Sequence, residues 1–386
     1  MRDSAGLEDP AVAKGQKAKG NVYNWQELAG AFGDLGTLIP FVVVYLTILH
    51  LNPMGVLLAF GLSKIVSGLY YRTPVPVQPM KVIGMSAVTQ ASITPGAVYG
   101  AGLVTGLAWL VLGLTGTITY ITRLARPPVV KGIVLGLGLL FILDGAEMMA
   151  TNFWLAVPGA LLAVGLFTYR KFPAMFGLLA LGAGAAFVQE PGLLSEIRFG
   201  FTLPTFAVAS ISWSDLATGT ILLALPQLPL TLGNAVISTT LENNELFPDR
   251  KVTERKLSIS TGIMNLLSPL IGGVPMCHGA GGMAGHVKFG ARTGGALVML
   301  GVLMLVIALF FSQSVELIFR IFPTAILGVI LFFAGAELSL AAKPDFDNRH
   351  DFYVMIITTG LAMWNIGAAF IVGILAYYGM RRWARP

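Results

Sequence analysis

Two short stretches gather the residues best suited to chemistry. VQPMK (77–81) holds Gln78, Pro79, Met80 and Lys81, and GVPMCHGAGG (273–282) holds Cys277, His278, Gly279, Ala280, Gly281 and Gly282. Proline fixes φ and has no N–H, so Pro79 and Pro275 suit the first turn of a helix. A helix N-terminus presents unpaired N–H groups and about half a positive charge, which makes it a binding point for an anion. Lys81 would add a full charge, and His278 a hydrogen bond and a group that titrates near neutral pH. Without side chains at Gly279, Gly281 and Gly282, a tetrahedral oxyanion would reach the N–H groups directly. Plainer readings stand beside these: glycines that only allow close helix packing, a Lys81 that snorkels to an interface, a buried structural His278. Catalysis has less support, because the sequence offers no metal cluster, no paired catalytic carboxylates and no nucleophile–base pair. Cys277 is the single cysteine, which excludes an internal disulfide and a cysteine-rich metal site. No cofactor is expected.

A second set of polar residues lies in otherwise apolar sequence. Asp34, in AFGDLGTLIP between Gly33 and Gly36, would carry a proton, hold the helix ends in place, or neutralise Lys81 or another basic group. Gln227, Thr231 and Asn234, in LPQLPLTLGNAV, offer uncharged donors on a segment that Pro226 and Pro229 should loosen. Glu147 and Glu337 end two similar GAE motifs and read as contacts between helices.

The elements that position these groups are set by composition. The 386 residues are 55% hydrophobic and 11% charged, with a mean hydropathy of +0.77. This balance excludes a soluble domain and indicates an all-α integral membrane protein. The net charge of +6 is spread in short clusters between apolar runs, so its partner is membrane lipid and not nucleic acid. Apolar spans are predicted at 27–47, 54–71, 79–94, 97–119, 129–147, 152–168 and 173–189. After a polar break they resume at 216–238, 257–271, 275–287, 294–312, 322–340, 352–364 and 365–380. Residues 1–22 read as a cytoplasmic tail, 23–190 and 216–386 as two seven-span repeats, and 191–215 as an extracytoplasmic linker.

Charge tests the count, because Lys and Arg concentrate on cytoplasmic loops. With the N-terminus inside, the inner segments collect Lys14, Arg72, Arg123, Arg126, Lys131, Arg250, Arg255, Lys288, Arg292 and Arg381, while the outer ones keep Arg198 and Arg320. Fourteen spans with both termini cytoplasmic follow, and an odd seven per half makes the halves inverted repeats. Three echoes in the same order support them: NWQELAGAF with SWSDLATGT, VQPMK with GVPMC, and LDGAEMM with FAGAELS. The third and tenth spans each combine an extended proline- or glycine-bearing run with a stretch too short to cross about 30 Å of hydrocarbon as helix. Running in opposite directions, they become half-helices whose N-termini meet at the midplane.

The motifs AFGDLGTLIPFVV, PVPVQPMKVI, LPQLPLTLGNAVIS and PMCHGAGGMAGHVKFGARTGG closely resemble the molybdate transporters related to the SulP sulfate permeases, from about residue 23 onward. The resemblance implies a fold shared with SulP carriers and uracil permeases, in which a core domain (23–122 and 216–312) moves against a gate domain (123–190 and 313–380). It implies a substrate site between Gln78–Lys81 and Cys277–Gly282, lined by Asp34 and by Gln227, Thr231 and Asn234. Uracil permeases carry an acidic residue and histidines on the eighth span, which this chain lacks, and this argues against a nucleobase. SulP proteins commonly carry a C-terminal STAS domain, and its absence is expected because the chain ends six residues after Met380. The expected function is import of molybdate across the cell (inner) membrane by alternating access. Asp34 or His278 would carry a coupled proton, and the resemblance is compatible with a homodimer. Sulfate is the competing substrate, and an anion channel the competing class.

Overall fold

The computed structural model describes residues 20–89, 93–124, 126–169, 172–193, 195–202, 211–342 and 348–383. Residues 1–19 of the expected tail lie outside this set. The chain is mostly helical, and helices begin where the sequence supplies caps. Asn24, whose side chain accepts from Glu27 N, opens α1 (Trp25–Ala31), which a 3-10 turn at Phe32–Asp34 joins to α2 (Leu35–Thr47). Asn52 and Pro53 open α3 (Pro53–Tyr71). A two-residue strand β1 (Gln78–Pro79) leads into α4 (Lys81–Thr89). Then come α5 (Pro95–Thr115), α6 (Thr117–Leu124), α7 (Pro127–Ala150), α8 (Phe153–Tyr169) and α9 (Ala174–Gln189). The short α6 is absent from the predicted spans; it follows Gly116, whose φ of 75° turns the chain out of α5.

In the second half, α10 (Trp213–Thr218), α11 (Leu225–Leu230) and α12 (Thr239–Leu246) run on as one helix through π-helical stretches at Gly219–Ala224 and Thr231–Ser238. Pro226 and Pro229 remove two N–H donors, and the ladder around them widens. Ser238 Oγ and Thr239 Oγ1 donate five residues back, to Gly233 O and Asn234 O. Next are α13 (Glu254–Leu267), strand β2 (Met276–Cys277), α14 (Ala280–Lys288), α15 (Gly295–Phe311), α16 (Val315–Arg320), α17 (Thr324–Ala341), α18 (Arg349–Trp364) and α19 (Ile366–Trp383).

Among the described residues, six helices are long and apolar enough to cross a membrane: Trp25–Thr47, Pro53–Tyr71, Pro95–Thr115, Pro127–Ala150, Trp213–Leu246 and Gly295–Arg320. Four shorter apolar helices join them, at Phe153–Thr168, Ala174–Gln189, Thr324–Leu340 and Ile366–Met380. Trp25, Trp154, Trp213 and Trp364, at helix ends, are largely exposed, as interfacial tryptophans are in multi-pass membrane proteins.

Glycines set the closest helix crossings. A Cβ at Gly335 would stand 2.7 Å from Gly138 O, one at Gly328 would stand 2.7 Å from Gly145 O, and one at Gly301 would stand 2.6 Å from Gly61 O. These positions let α7 pack on α17 and α3 on α15 backbone to backbone. The packing reading of glycine is right at these crossings.

The prolines differ from expectation. Pro79 and Pro275 stand in extended backbone and not in first helical turns. β1 and β2 pair antiparallel, with Gln78 opposite Cys277 and Pro79 opposite Met276, and Met80 N donates to Pro275 O at 3.0 Å. Pro79 therefore falls between hydrogen-bonded pairs, where its missing N–H costs nothing. Asn265 of α13 completes the far edge: its Nδ2 donates to Met276 O and its Oδ1 accepts from Met276 N, both at 2.7 Å.

Candidate anion-binding site

Antiparallel pairing of β1 with β2 aims the helices that follow them in opposite directions. α4 and α14, nine residues each, are about 14 Å long at 1.5 Å per residue, half of what a full span needs. Their N-termini start within three residues of a shared two-rung ladder. Lys81 is the first residue of α4 and Ala280 the first of α14. Between them, Gln78 and Pro79 lie in β1, Met80 follows directly, Cys277 ends β2, and His278 and Gly279 form the approach to α14. Gly281 and Gly282 occupy its first turn. The two motifs picked out in the sequence thus meet at one place.

The broken helix α10–α12 lies across both N-termini. Gln227 Oε1 accepts from Val82 N at 2.9 Å, and Asn234 Oδ1 accepts from Ala280 N at 3.0 Å. Each half-helix therefore has one N–H capped by the same neighbour. Gln227 Nε2 donates to Thr231 Oγ1 at 2.9 Å, which fixes the amide. Among the described residues, no acceptor stands opposite the N–H groups of Lys81, Gly279 or Gly281.

Two lysines differ sharply. Lys64 of α3 is fully buried; its Nζ donates to Val77 O at 2.7 Å and pairs with Asp34 Oδ2 at 3.4 Å. Asp34 Oδ1 accepts from Gln78 Nε2 at 2.5 Å and from Thr37 Oγ1. This buried pair is neutral as a unit and ties the first span to β1. The other is Lys81, whose Nζ has no hydrogen-bond or ion-pair partner among the described residues. It stands 3.5 Å above the centroid of the Phe141 ring, which comes from α7. Gln78 Oε1 is buried without a hydrogen-bond partner among the described residues, an orphan acceptor that calls for a donor such as water.

The bare backbone is occupied by neighbouring side chains. A Cβ at Gly279 would meet Gln78 Oε1, one at Gly281 would meet the Phe141 ring, and one at Gly282 would stand 2.7 Å from Gln78 Nε2 and 2.9 Å from Asp34 Oδ1. The His278 ring is held at both nitrogens. Nδ1 is 2.7 Å from Pro76 O and Nε2 is 2.7 Å from Ser260 Oγ, while Tyr71 packs edge-on at 5.6 Å. Cys277 is buried and contributes backbone pairing. Glu337 pairs with Lys288 at 3.2 Å, a helix–helix contact, and Glu147 is exposed on α7.

Lys64, Thr37, Ser260 and Phe141 are absent from the sequence reading. Lys64 carries a usable signal as the one charged residue inside the second span. Phe141 carries none, since an apolar residue in an apolar helix gives no sign of what its ring will meet.

Chemically, the arrangement offers an ammonium, two helix N-termini and uncapped N–H groups in a water-poor setting, the donor set of an oxyanion site. Residues 26–141 and 219–338 match the family described as "Molybdate transporter of MFS superfamily". Molybdate transporter 2 of Arabidopsis thaliana is 32% identical, over 91% of this chain and 86% of that protein. Molybdate transporter 1 of Chlamydomonas reinhardtii is 27% identical, over 91% and 90%. Among solved structures, the transmembrane domain of the cyanobacterial bicarbonate transporter BicA aligns with a TM-score of 0.56 at 15% identity, over 93% of this chain and 99% of that one. The murine Solute Carrier 26 family member A9 anion transporter in the inward-facing state aligns with a TM-score of 0.60 at 12% identity, over 99% and 73%. These two share the fold. The family match spans more than half of the sequence, and on that ground, together with the 32% identity to a curated relative, this multi-pass membrane protein belongs to the molybdate transporter family.

Proposed function

We propose that the chain imports molybdate by alternating access, with the dianion held between the N-termini of α4 and α14. The observation that carries this reading is Lys81. It is a cation at a helix N-terminus with no hydrogen-bond or salt-bridge partner among the described residues, the carboxylate of Asp144 on α7 acting on it only at longer range, while the equally intramembrane Lys64 is paired directly with Asp34. A dianion would be met by the Lys81 ammonium and by the free first-turn N–H groups of the opposite half-helix. Gln227, Thr231 and Asn234 hold the two helix ends in register.

Fourteen spans follow if α1–α2, α3, α4, α5, α7, α8, α9, α10–α12, α13, α14, α15–α16, α17, α18 and α19 count as one each. Inversion is supported by reciprocal packing: α3 lies on α15 as α13 lies on α5, and α7 lies on its own counterpart α17. The alternation of faces is supported by loop contacts. Arg250 Nη1 donates to Arg72 O at 2.5 Å and Arg255 Nε to Gly113 O at 3.0 Å, so these basic residues share one face. At the other end of α5, Thr94 Oγ1 donates to Asp215 Oδ1 at 2.5 Å. In this reading α7–α9 and α17–α19 form the gate, and both chain ends lie in the cytoplasm.

Importing a dianion against a negative interior costs about 2.3 kcal/mol per charge per 100 mV, so a co-transported proton is part of the proposal. Asp34 is the better carrier, because protonation there would loosen both Lys64 and Gln78, whereas both His278 nitrogens already have partners. Uptake into proteoliposomes that ignored an imposed pH gradient would remove the proton from the mechanism.

The test of the substrate site is equilibrium binding of labelled molybdate to purified protein, competed with sulfate and tungstate. Wild type should bind, and Lys81→Met should lose about tenfold or more in affinity, as expected for one desolvated charge-assisted contact. Sulfate displacing molybdate at equal concentration would overturn the substrate assignment, and undiminished binding by Lys81→Met would overturn the site.

A further inference from the structure

We propose that Phe141 closes the anion site from the gate side and sets its affinity by competing with the anion for Lys81. The proposal rests on reading the junction of α4 and α14 as an anion site. Phe141 lies midway along α7, a helix whose main partners are α17 and α18. Its fully buried ring meets both half-helices. One face lies under Lys81 Nζ, 3.5 Å from the centroid. The ring edge fills the place where Gly281 would carry a Cβ. A single side chain thus covers the ammonium on one half-helix and the first turn of the other, the two groups an oxyanion would use.

The ring does more there than fill space. An aromatic face carries the negative lobe of a quadrupole, so it attracts an ammonium, most strongly where water is excluded. The same face repels an oxyanion. Ring and anion therefore cannot both sit on Lys81, and binding has to displace Phe141 from the junction. Because Phe141 belongs to α7 and Lys81 to the half-helix layer, that displacement links substrate binding to movement of one layer against the other. Gly281 is the matching half of the device, since any larger residue would hold the ring off the junction.

Two kinds of replacement separate this role from plain packing. Phe141→Leu keeps apolar bulk near Gly281 and removes the ring face. Fluorinated phenylalanine at position 141 keeps the shape and progressively weakens the face. Labelled molybdate binding to the purified full-length variants should tighten about tenfold for Phe141→Leu and rise stepwise with fluorination, while uptake in proteoliposomes slows. Unchanged or weaker binding in the leucine variant, or a fluorinated series that is flat, would overturn the role of the ring. Failure of the anion site itself has a different signature: neither wild type nor any variant would bind molybdate, and the proposal would fall with it.

Discussion

At the scale of single residues, two intramembrane lysines differ: Lys64 sits in a buried ion pair, and Lys81 has no salt-bridge partner among the described residues. Asp34 and Lys64 both have fully buried side chains and lie 3.4 Å apart. Breaking such a pair leaves an uncompensated charge, whereas replacing both partners removes the desolvation cost along with the attraction. Asp34→Asn and Lys64→Met should each lower stability by about 3–5 kcal/mol, and the double variant should recover most of that loss. Thermal unfolding of the purified proteins in detergent reads this directly, and additive losses in the double variant would show that the two side chains do not act as a pair. Asp34 was legible in the sequence as a charge inside a span, with pairing to Lys81 or another basic group as one of its readings. That the partner is Lys64 was not, because only the chain path brings Lys64, 30 residues on, beside Asp34 and Val77 while Lys81 lies over Phe141. A second buried carboxyl tests the same physics without any part in the site. Glu242 in α12 has an Oε2 with no hydrogen-bond partner among the described residues, and the carboxylates of Glu337 and Glu245 act on it with like charge. Glu242→Gln removes the cost of ionising it and should raise the unfolding temperature at neutral pH. A fall would mean that the carboxyl has a charged partner after all.

At the scale of elements, one broken helix serves both half-helices. Gln227 and Asn234 stand seven residues apart, two turns along α11 and the π-helical stretch after it, and each accepts from a first-turn N–H of a different half-helix. The sequence reading placed these side chains at the site as donors. They act instead as acceptors toward backbone, a role that only the tertiary arrangement reveals. Loss of a capping side chain costs about 1 kcal/mol, so Asn234→Ala should destabilise the protein modestly and weaken molybdate binding by misaligning α14. Asn234→Asp separates the two effects: the carboxylate still accepts from Ala280 N and restores stability, but its charge opposes the anion and keeps binding weak. Normal molybdate binding by Asn234→Asp would show that the anion does not approach this end of α14. The half-helices themselves were legible, because proline, glycine and insufficient length are local signals. The pairing of Gln78 with Cys277 was not, since its register joins residues almost 200 positions apart and leaves no trace in local periodicity. The misplacement of Pro79 and Pro275 into helical turns has the same origin.

At the scale of the whole molecule, the multi-pass helical character was readable from hydropathy, while the character of the seam between the proposed core and gate was not. That seam runs where α2 and α14 face α17. A Cβ at Gly36 in α2 would stand 2.7 Å from Leu327 O and 3.0 Å from Leu331 Cβ, so the contact is backbone against backbone. The ion pair across it, Lys288 with Glu337 at 3.2 Å, has side chains 27% and 29% exposed, a setting in which such pairs contribute little. A contact of this kind, backbone against backbone with only a weak ion pair beside it, is suited to small sliding movements of packed helices, which the proposed alternating access requires. Overpacking costs about 1–3 kcal/mol, and at Gly36 that cost would fall on the movement and not on the site, which is formed by other residues. Gly36→Val should therefore slow molybdate uptake by about tenfold or more while leaving equilibrium affinity nearly unchanged, and Glu337→Gln should leave both nearly as they are. Parallel loss of affinity and rate in Gly36→Val would mean that the seam and the site are one rigid unit, and transport by relative movement of core and gate would have to be abandoned.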